Sequence, residues 1–138
     1  TAAQGEKLIF ASVLWRHGQR APSTINGIDG GDVFQRGKGQ LTEAGICRSR
    51  ELGRALRQRY VRDHELLSGH SEKKGEFSFH STSVPRCKDT LQLVARGLFG
   101  EEDDWKMDER EMKITQHPED FLIGFAWYRC AALGKIFQ

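Results

Sequence analysis

Apolar positions mark out four elements along this chain. Residues 7–15, with Leu8, Ile9, Phe10, Val13, Leu14 and Trp15, form a nearly unbroken apolar run rich in strand formers, which predicts a central β-strand buried on both faces. Residues 21–41 hold Gly27, Gly30, Gly31, Gly37 and Gly39 among Pro, Asn and Asp, and predict a long irregular loop of the kind that usually carries function. Thr42 then offers an N-cap, with Leu41 and Ile46 in staple positions, and Ile46, Leu52, Ala55, Leu56 and Tyr60 form an apolar stripe for a helix over 43–61. Gly69 breaks the pattern, and residues 68–75 read as a loop. Phe77 and Phe79 alternating with Ser78 and His80 predict a second strand over 76–81. Leu91, Val94, Ala95 and Leu98 predict a helix over 85–99 closed by Gly100. Strand, helix, strand, with about 70 residues between strand starts, implies a right-handed crossover and a parallel pair formed by 7–15 and 76–81.

Composition narrows the class. The 138 residues are 38% hydrophobic and 29% charged with a net charge of +2, enough chain for one domain with its own core and too weak a charge excess to argue for nucleic acid. The basic positions Arg48, Arg50, Arg54, Arg57, Arg59 and Arg62 are interleaved with apolar ones, as on a solvated helix face. No run of 18 apolar residues suggests a membrane span. Three cysteines, Cys47, Cys87 and Cys130, leave an odd thiol: a free thiol or a missing partner in an oxidising compartment, or three free thiols in a reducing one. The start at Thr1 without Met suits a mature protein freed of a signal peptide.

The chemistry concentrates in Arg16-His17-Gly18-Gln19-Arg20-Ala21-Pro22, directly after the first apolar run. Two guanidiniums, planar forks that stay charged, flank an imidazole at a strand end, an arrangement that favours a tetrahedral dianion and puts a nucleophile beside it. Gly18 permits a sharp turn and close approach of the main chain to an anion, and Pro22 fixes φ beyond it. The plainer alternative is a loop histidine between solvated arginines.

Arg-His-Gly-x-Arg-x-Pro resembles the signature of the histidine acid phosphatases, a branch of the histidine phosphatase superfamily. Gly37 to Gly45, followed by Glu51-Leu52-Gly53 and Leu56 to Tyr60, is similar to that family's first helix and its entry. Phe79-His80-Ser81-Thr82-Ser83-Val84-Pro85-Arg86-Cys87 is similar to its second phosphate-binding segment, and Ile114 to Pro118 through Tyr128-Arg129-Cys130 to the start of its helical cap. The resemblance implies an α/β chain with a three-layer phosphoglycerate mutase-like fold, incomplete here: strand-helix-strand-helix plus the start of a cap. Residues 1–100 would be the N-terminal part of the phosphatase domain and 101–138 the start of the cap region.

It also implies a secreted or lysosomal acid phosphatase that hydrolyses phosphate monoesters through a phosphohistidine. His17 would be the nucleophile, Arg16 and Arg20 the catalytic and phosphate-binding guanidiniums, and His80 a further phosphate ligand; neither a cofactor nor a metal is expected. The family usually has Arg where His80 stands. A protonated His80 would be a weaker clamp favoured by acid pH, and it could instead be a buried strand histidine. Arg86 could replace the lost charge, although a structural role is the expectation. Family members are typically more than twice as long, and the His-Asp pair that supplies their proton donor is missing from this sequence, where His64-Glu65 and His117 to Asp120 are the nearest substitutes. A chain truncated before that segment is therefore expected, with a catalytically impaired phosphate-ester binding or secreted interaction protein as the alternative. A phosphoglycerate mutase-like transferase fits less well: the motif of that branch resembles Arg-His-Gly-x-Ser or Arg-His-Gly-x-Thr with a following Asn, whereas Arg20 and Pro22 point to the acid phosphatases. Cys130 would pair with a cysteine beyond this chain. The first strand would have an exposed edge or face, with Phe121, Ile123, Phe125, Trp127 and Tyr128 adding apolar cap surface, so a homodimer or another partner is expected.

Overall fold

The computed structural model describes residues 6–23, 34–73, 75–100 and 105–115. Helix α1 spans Glu43–Arg57 and runs on into a π-helical stretch, Gln58–Asp63. Strand β1 is Phe79–Thr82 and helix α2 is Pro85–Phe99. A 3-10 turn, Glu109–Glu111, leads into β2, Met112–Thr115. Among the described residues no helix is long and apolar enough to cross a membrane.

Local chemistry sets the helix limits. Thr42 caps α1 as its sequence position predicts: its Oγ1 accepts from the Gly45 N–H at 3.1 Å. Pro85 opens α2 at N1, where a missing N–H costs nothing, and Gly100 closes it in the left-handed region at φ 74° with its N–H on the Arg96 carbonyl. The predicted helix over 43–61 is thus an α-helix to Arg57, then a wider-wound turn in which the His64 N–H reaches the Arg59 carbonyl at 3.1 Å.

The most deeply buried positions of α1 are not those of the predicted apolar stripe, although Leu56 of that stripe packs against the core. Gly45, Ser49 and Gly53, four residues apart, are its buried positions, whereas Ala55 is exposed and Ile46, Leu52, Leu56 and Tyr60 are half-buried. The reason is the closeness of the two helices. A Cβ on Gly53 would collide with the Val94 carbonyl oxygen and lie 2.8 Å from the Gly97 Cα, and one on Gly97 would strike the Arg50 carbonyl. Backbone meets backbone there, leaving no room for the aliphatic side chains that an amphipathic pattern selects.

The core lies between α2 and the sheet: Phe79, Leu91, Ala95, Leu98, Phe99, Met107 and Met112 are buried together, with Trp15, Leu56 and Trp105 packed against them. Phe77, Phe79, Phe99 and Trp105 form a chain of tilted and edge-on rings at centroid distances of 4.8 to 6.1 Å.

Strands β1 and β2 are parallel, with Phe79 opposite Met112 and Thr82 opposite Thr115, so β1-α2-β2 is a βαβ unit. Two sequence expectations change here. The parallel partner of the second strand is 112–115, a segment assigned from the sequence to the cap region, and not 7–15. Among the described residues, 7–15 make no ladder, and Ile9, Phe10 and Leu14 are 86%, 76% and 78% exposed. A strand becomes central only when neighbours supply both faces and both edges, and the two described strands pair with each other. Trp15 alone of that run reaches the core.

Ahead of β1, the Ser68 N–H donates to Glu76 Oε2 at 2.7 Å, and this bond holds the Glu76 carboxyl below the usual glutamate range. A lowered folded-state pKa means that the tie is present at neutral pH and released as pH falls through that lowered value. An NMR titration of the Glu76 carboxyl should therefore find its midpoint below that of a free glutamate, and Glu76→Gln should remove the loop's pH response. Gly97→Ala should destabilise the chain by about 1–3 kcal/mol through overpacking against α1, read by urea denaturation, whereas Gly75→Ala, which meets open space, should be close to neutral.

Candidate functional site

The motif segment is fixed from two sides. Along one, residues 19–22 lie beside 39–42: the Thr42 N–H donates to the Gln19 carbonyl at 3.0 Å, the Ala21 N–H to the Gln40 carbonyl at 2.8 Å, and Arg20 bridges Leu41 in antiparallel fashion. The loop entering α1 and the motif thus brace each other, burying Ala21 and Leu41.

On the other side the turn is wedged against both helices. A Cβ on Gly18 would sit 2.7 Å from Ser49 Oγ and 2.8 Å from the Gly45 carbonyl oxygen, and one on Gly45 would overlap Gln19. Gly18 is thus required for close approach of the backbone to α1, a different need from the turn that the sequence suggests. Its N–H donates to Thr90 Oγ1 at 3.0 Å, and Thr90 Oγ1 donates to the Arg86 carbonyl at 2.7 Å. Thr90, 1% exposed, is therefore both acceptor and donor in a relay from motif turn to the first turns of α2.

His17 is half-buried, with Nδ1 2.8 Å from its neighbour's Gly18 carbonyl oxygen. A carbonyl only accepts, so Nδ1 carries the hydrogen and Nε2 of the neutral ring has the free lone pair. Arg16 is exposed. Arg20 is half-buried; its Nη1 donates to the Ala21 carbonyl at 2.9 Å, while its Nε is buried with no partner. Two more buried side-chain atoms in the described residues lack partners, Thr82 Oγ1 and Arg86 Nε. These orphans lie at the motif, at the end of β1 and in the first turn of α2, and the Gly18–Thr90–Arg86 relay joins the first of these segments to the last. An unpaired buried donor is costly, and a bound oxyanion is the kind of acceptor that would satisfy the two guanidinium nitrogens.

His80 is on β1, on the face opposite the buried Phe79 and Ser81; it is exposed, with Nε2 3.3 Å from Ser78 Oγ. It is not the buried strand histidine considered from the sequence. No hydrogen bond joins it to Arg16, His17 or Arg20 among the described residues. Arg86, not counted among the site residues from sequence, is the guanidinium on the helix that Thr90 ties to the motif; the clue was its position four residues before a threonine on one helix face. His64 follows the π-helical stretch and is half-buried, and Glu65 takes the uncommon positive φ of 48°. His117, Glu119, Asp120, residues 121–128 and Cys130 lie outside the described residues. Cys47 is exposed and Cys87 half-buried, both as free thiols.

Two cavities among the described residues are not centred on His17. One of about 450 Å³ is walled by arginines of α1 and α2, and another of about 350 Å³ borders Ala21, Phe34, Leu41 and Thr42 beside the motif.

Comparison with known proteins gives a consistent picture. The profile of the histidine phosphatase superfamily (branch 2) matches residues 32–123, a span that begins after the motif. Testicular acid phosphatase of Homo sapiens is 32% identical over 132 residues, covering 89% of this chain and 30% of its own length. Testicular acid phosphatase of Mus musculus is 36% identical over 134 residues, 89% of this chain and 30% of its own length. Lysosomal acid phosphatase of Bos taurus is 37% identical over 98 residues, 70% of this chain and 22% of its own length. The chain spans less than a third of the length of these relatives.

Thr90→Val should cost about 1–3 kcal/mol by stranding the Gly18 N–H, with faster hydrogen exchange at that amide, and Thr90→Ser should recover most of the loss. Equal Gly18 exchange in wild type and Thr90→Val would show that the relay does not hold the turn.

Proposed function

This chain belongs to the histidine phosphatase superfamily, branch 2, and from that premise we propose that it carries the phosphate-binding and nucleophilic part of an acid phosphatase acting on phosphate monoesters. The observation that carries the reading is the 2.8 Å contact of His17 Nδ1 with the Gly18 carbonyl oxygen, which leaves Nε2 as the nitrogen with a free lone pair, on a histidine flanked in sequence by Arg16 and Arg20. Nε2 attacks phosphorus in line with the ester oxygen, the N–P bond forms as the P–O bond breaks, and the leaving oxygen departs with the bonding pair. Water then attacks the phosphohistidine, releasing phosphate and regenerating the ring. Arg16 and Arg20 hold the equatorial oxygens as charge redistributes, with Arg86 Nε as a third donor and His80 as a further ligand when protonated.

The departing alkoxide needs a proton. The sequence contains no His-Asp pair to supply it, so residues 1–138 complete the nucleophilic half of the reaction and not the acid half. In this reading the three-layer sheet and the helical cap belong to the whole protein, of which residues 1–100 and 101–138 are parts. The name of one relative, lysosomal acid phosphatase, supports a lysosomal route. Exposure of His80, held by Ser78 rather than by the motif, favours a second reading, a relative that binds phosphate esters with impaired turnover.

The two readings separate by experiment. The purified chain should bind vanadate, and Arg16→Gln/Arg20→Gln should abolish that binding. Any hydrolysis should favour aryl over alkyl phosphates, because a phenolate leaves without much help from an acid, and should vanish in His17→Ala. An acid-labile phosphoenzyme trapped in wild type and absent in His17→Ala supports the phosphatase; vanadate binding without phosphoenzyme supports the impaired binder. Vanadate bound solely at Arg54, Arg57 and Arg62 would overturn both.

A further inference from the structure

The last residue of β1 carries a hydroxyl with nothing to bond. Phe79 and Ser81 are buried, so by strand alternation His80 and Thr82 share the other face. Thr82 is half-buried, yet its Oγ1 is fully shielded and has no hydrogen-bond partner among the described residues. Hydroxyls nearby do find partners. Ser81 Oγ donates to the Thr82 carbonyl at 2.9 Å, and Thr90 Oγ1 accepts from the Gly18 N–H and donates to the Arg86 carbonyl. A stranded buried hydroxyl lowers stability, and buried polar side chains are bonded as a rule, so the exception asks for a cause.

The surroundings of Thr82 supply one. Parallel β1 and β2 end together, with Thr82 opposite Thr115, and ligands of open α/β sheets lie beyond the carboxyl ends of the strands. In the first turn of α2, Arg86 Nε is buried without a partner as well; the relay through Thr90 ties that turn to the motif, where Arg20 Nε is in the same condition. The chain from Thr82 to Arg86 also enters the N-terminus of a helix of 15 residues, which favours negative charge. All three stranded groups can donate, and all three lack an acceptor. A tetrahedral oxyanion offers several acceptors at once.

We propose that Thr82 is a phosphate-binding residue: its hydroxyl donates to one oxygen of the phosphoryl group held at Arg16, His17 and Arg20, while Arg20 Nε and Arg86 Nε donate to others. The place of that phosphoryl group rests on the phosphatase reading. One step about χ1 turns Oγ1 out of its shielded position, so no backbone movement is needed to reach the ligand. The free chain is then destabilised by a hydroxyl that only the ligand satisfies, and this reverses the usual effect of replacing a buried threonine by valine.

Two measurements on the purified chain test the proposal: calorimetric titration with vanadate and the urea midpoint of unfolding. Thr82→Val preserves shape and removes the stranded group. Its midpoint should equal or exceed that of wild type, while its vanadate affinity falls about tenfold, the loss of one hydrogen bond to a charged ligand. Thr82→Ser keeps the hydroxyl and loses the methyl, so its affinity should match wild type while its midpoint drops. Stability and affinity thus rank Val and Ser in opposite orders. A lower midpoint in Thr82→Val would show that the hydroxyl has a structural partner and would overturn the proposal, as would affinity lost in Thr82→Ser. Vanadate binding that is abolished in Arg16→Gln/Arg20→Gln yet unchanged in Thr82→Val removes Thr82 from the site and leaves the phosphatase reading standing. A wild-type chain that binds no vanadate overturns both.

Discussion

The backbone contact between Gly53 of α1 and Gly97 of α2 sets the distance between the helices, and everything chemically interesting is measured from it. With α2 drawn onto α1, Thr90 on the one helix and Gly45 and Ser49 on the other are close enough for a single glycine, Gly18, to touch both. The motif turn is thus seated in a cleft whose width is that of a peptide backbone. Hydrophobic burial supplies the driving force, through Phe79, Leu91, Leu98, Phe99 and Met112, but it acts between α2 and the sheet. It would be satisfied by several helix spacings; the glycines select one.

Backbone groups, more than side chains, hold the site together. The Gln19 carbonyl receives the Thr42 N–H, and Thr42 also caps α1, so helix start and motif position are set by one residue. On the other side a threonine hydroxyl accepts from the motif and donates into α2. His17 in turn takes its tautomer from the carbonyl of its own neighbour. An imidazole held in this way has its hydrogen placed on Nδ1 and its lone pair on Nε2 before any ligand arrives.

Much of this was legible in the sequence where the signal is local. Thr42, Pro85 and Gly100 announce helix ends because capping depends on residues within one turn, and the Arg16 to Arg20 constellation announces itself by side-chain chemistry. What was illegible depends on partners distant in the chain. The apolar stripe on α1 includes Leu56, which packs against the core, but misses the most buried positions, because burial at Gly45 and Gly53 is achieved by having no side chain and a count of apolar residues cannot register that. Strand β2, Met-Lys-Ile-Thr, is too short and mixed to carry a period, and exists by pairing with β1. The run 7–15 has the composition of a central strand, but composition does not supply neighbours. Thr90 and the arginine cavity are invisible for a related reason: each joins residues from separate segments, and neither α1 nor α2 alone contains it.

The nested glycines bear on how such a sequence can drift. In an ordinary core a residue that grows can be accommodated by a neighbour that shrinks, and pairs of changes wander together through evolution. Gly18 against Gly45, and Gly53 against Gly97, admit no such exchange, since neither member has anything left to remove. Any departure must instead part the helices, and parting them displaces the turn that carries His17. His17 and the helix contact are for that reason bound to a shared fate: the chain can lose the imidazole and keep the packing, but it cannot readily remodel the packing and keep the turn.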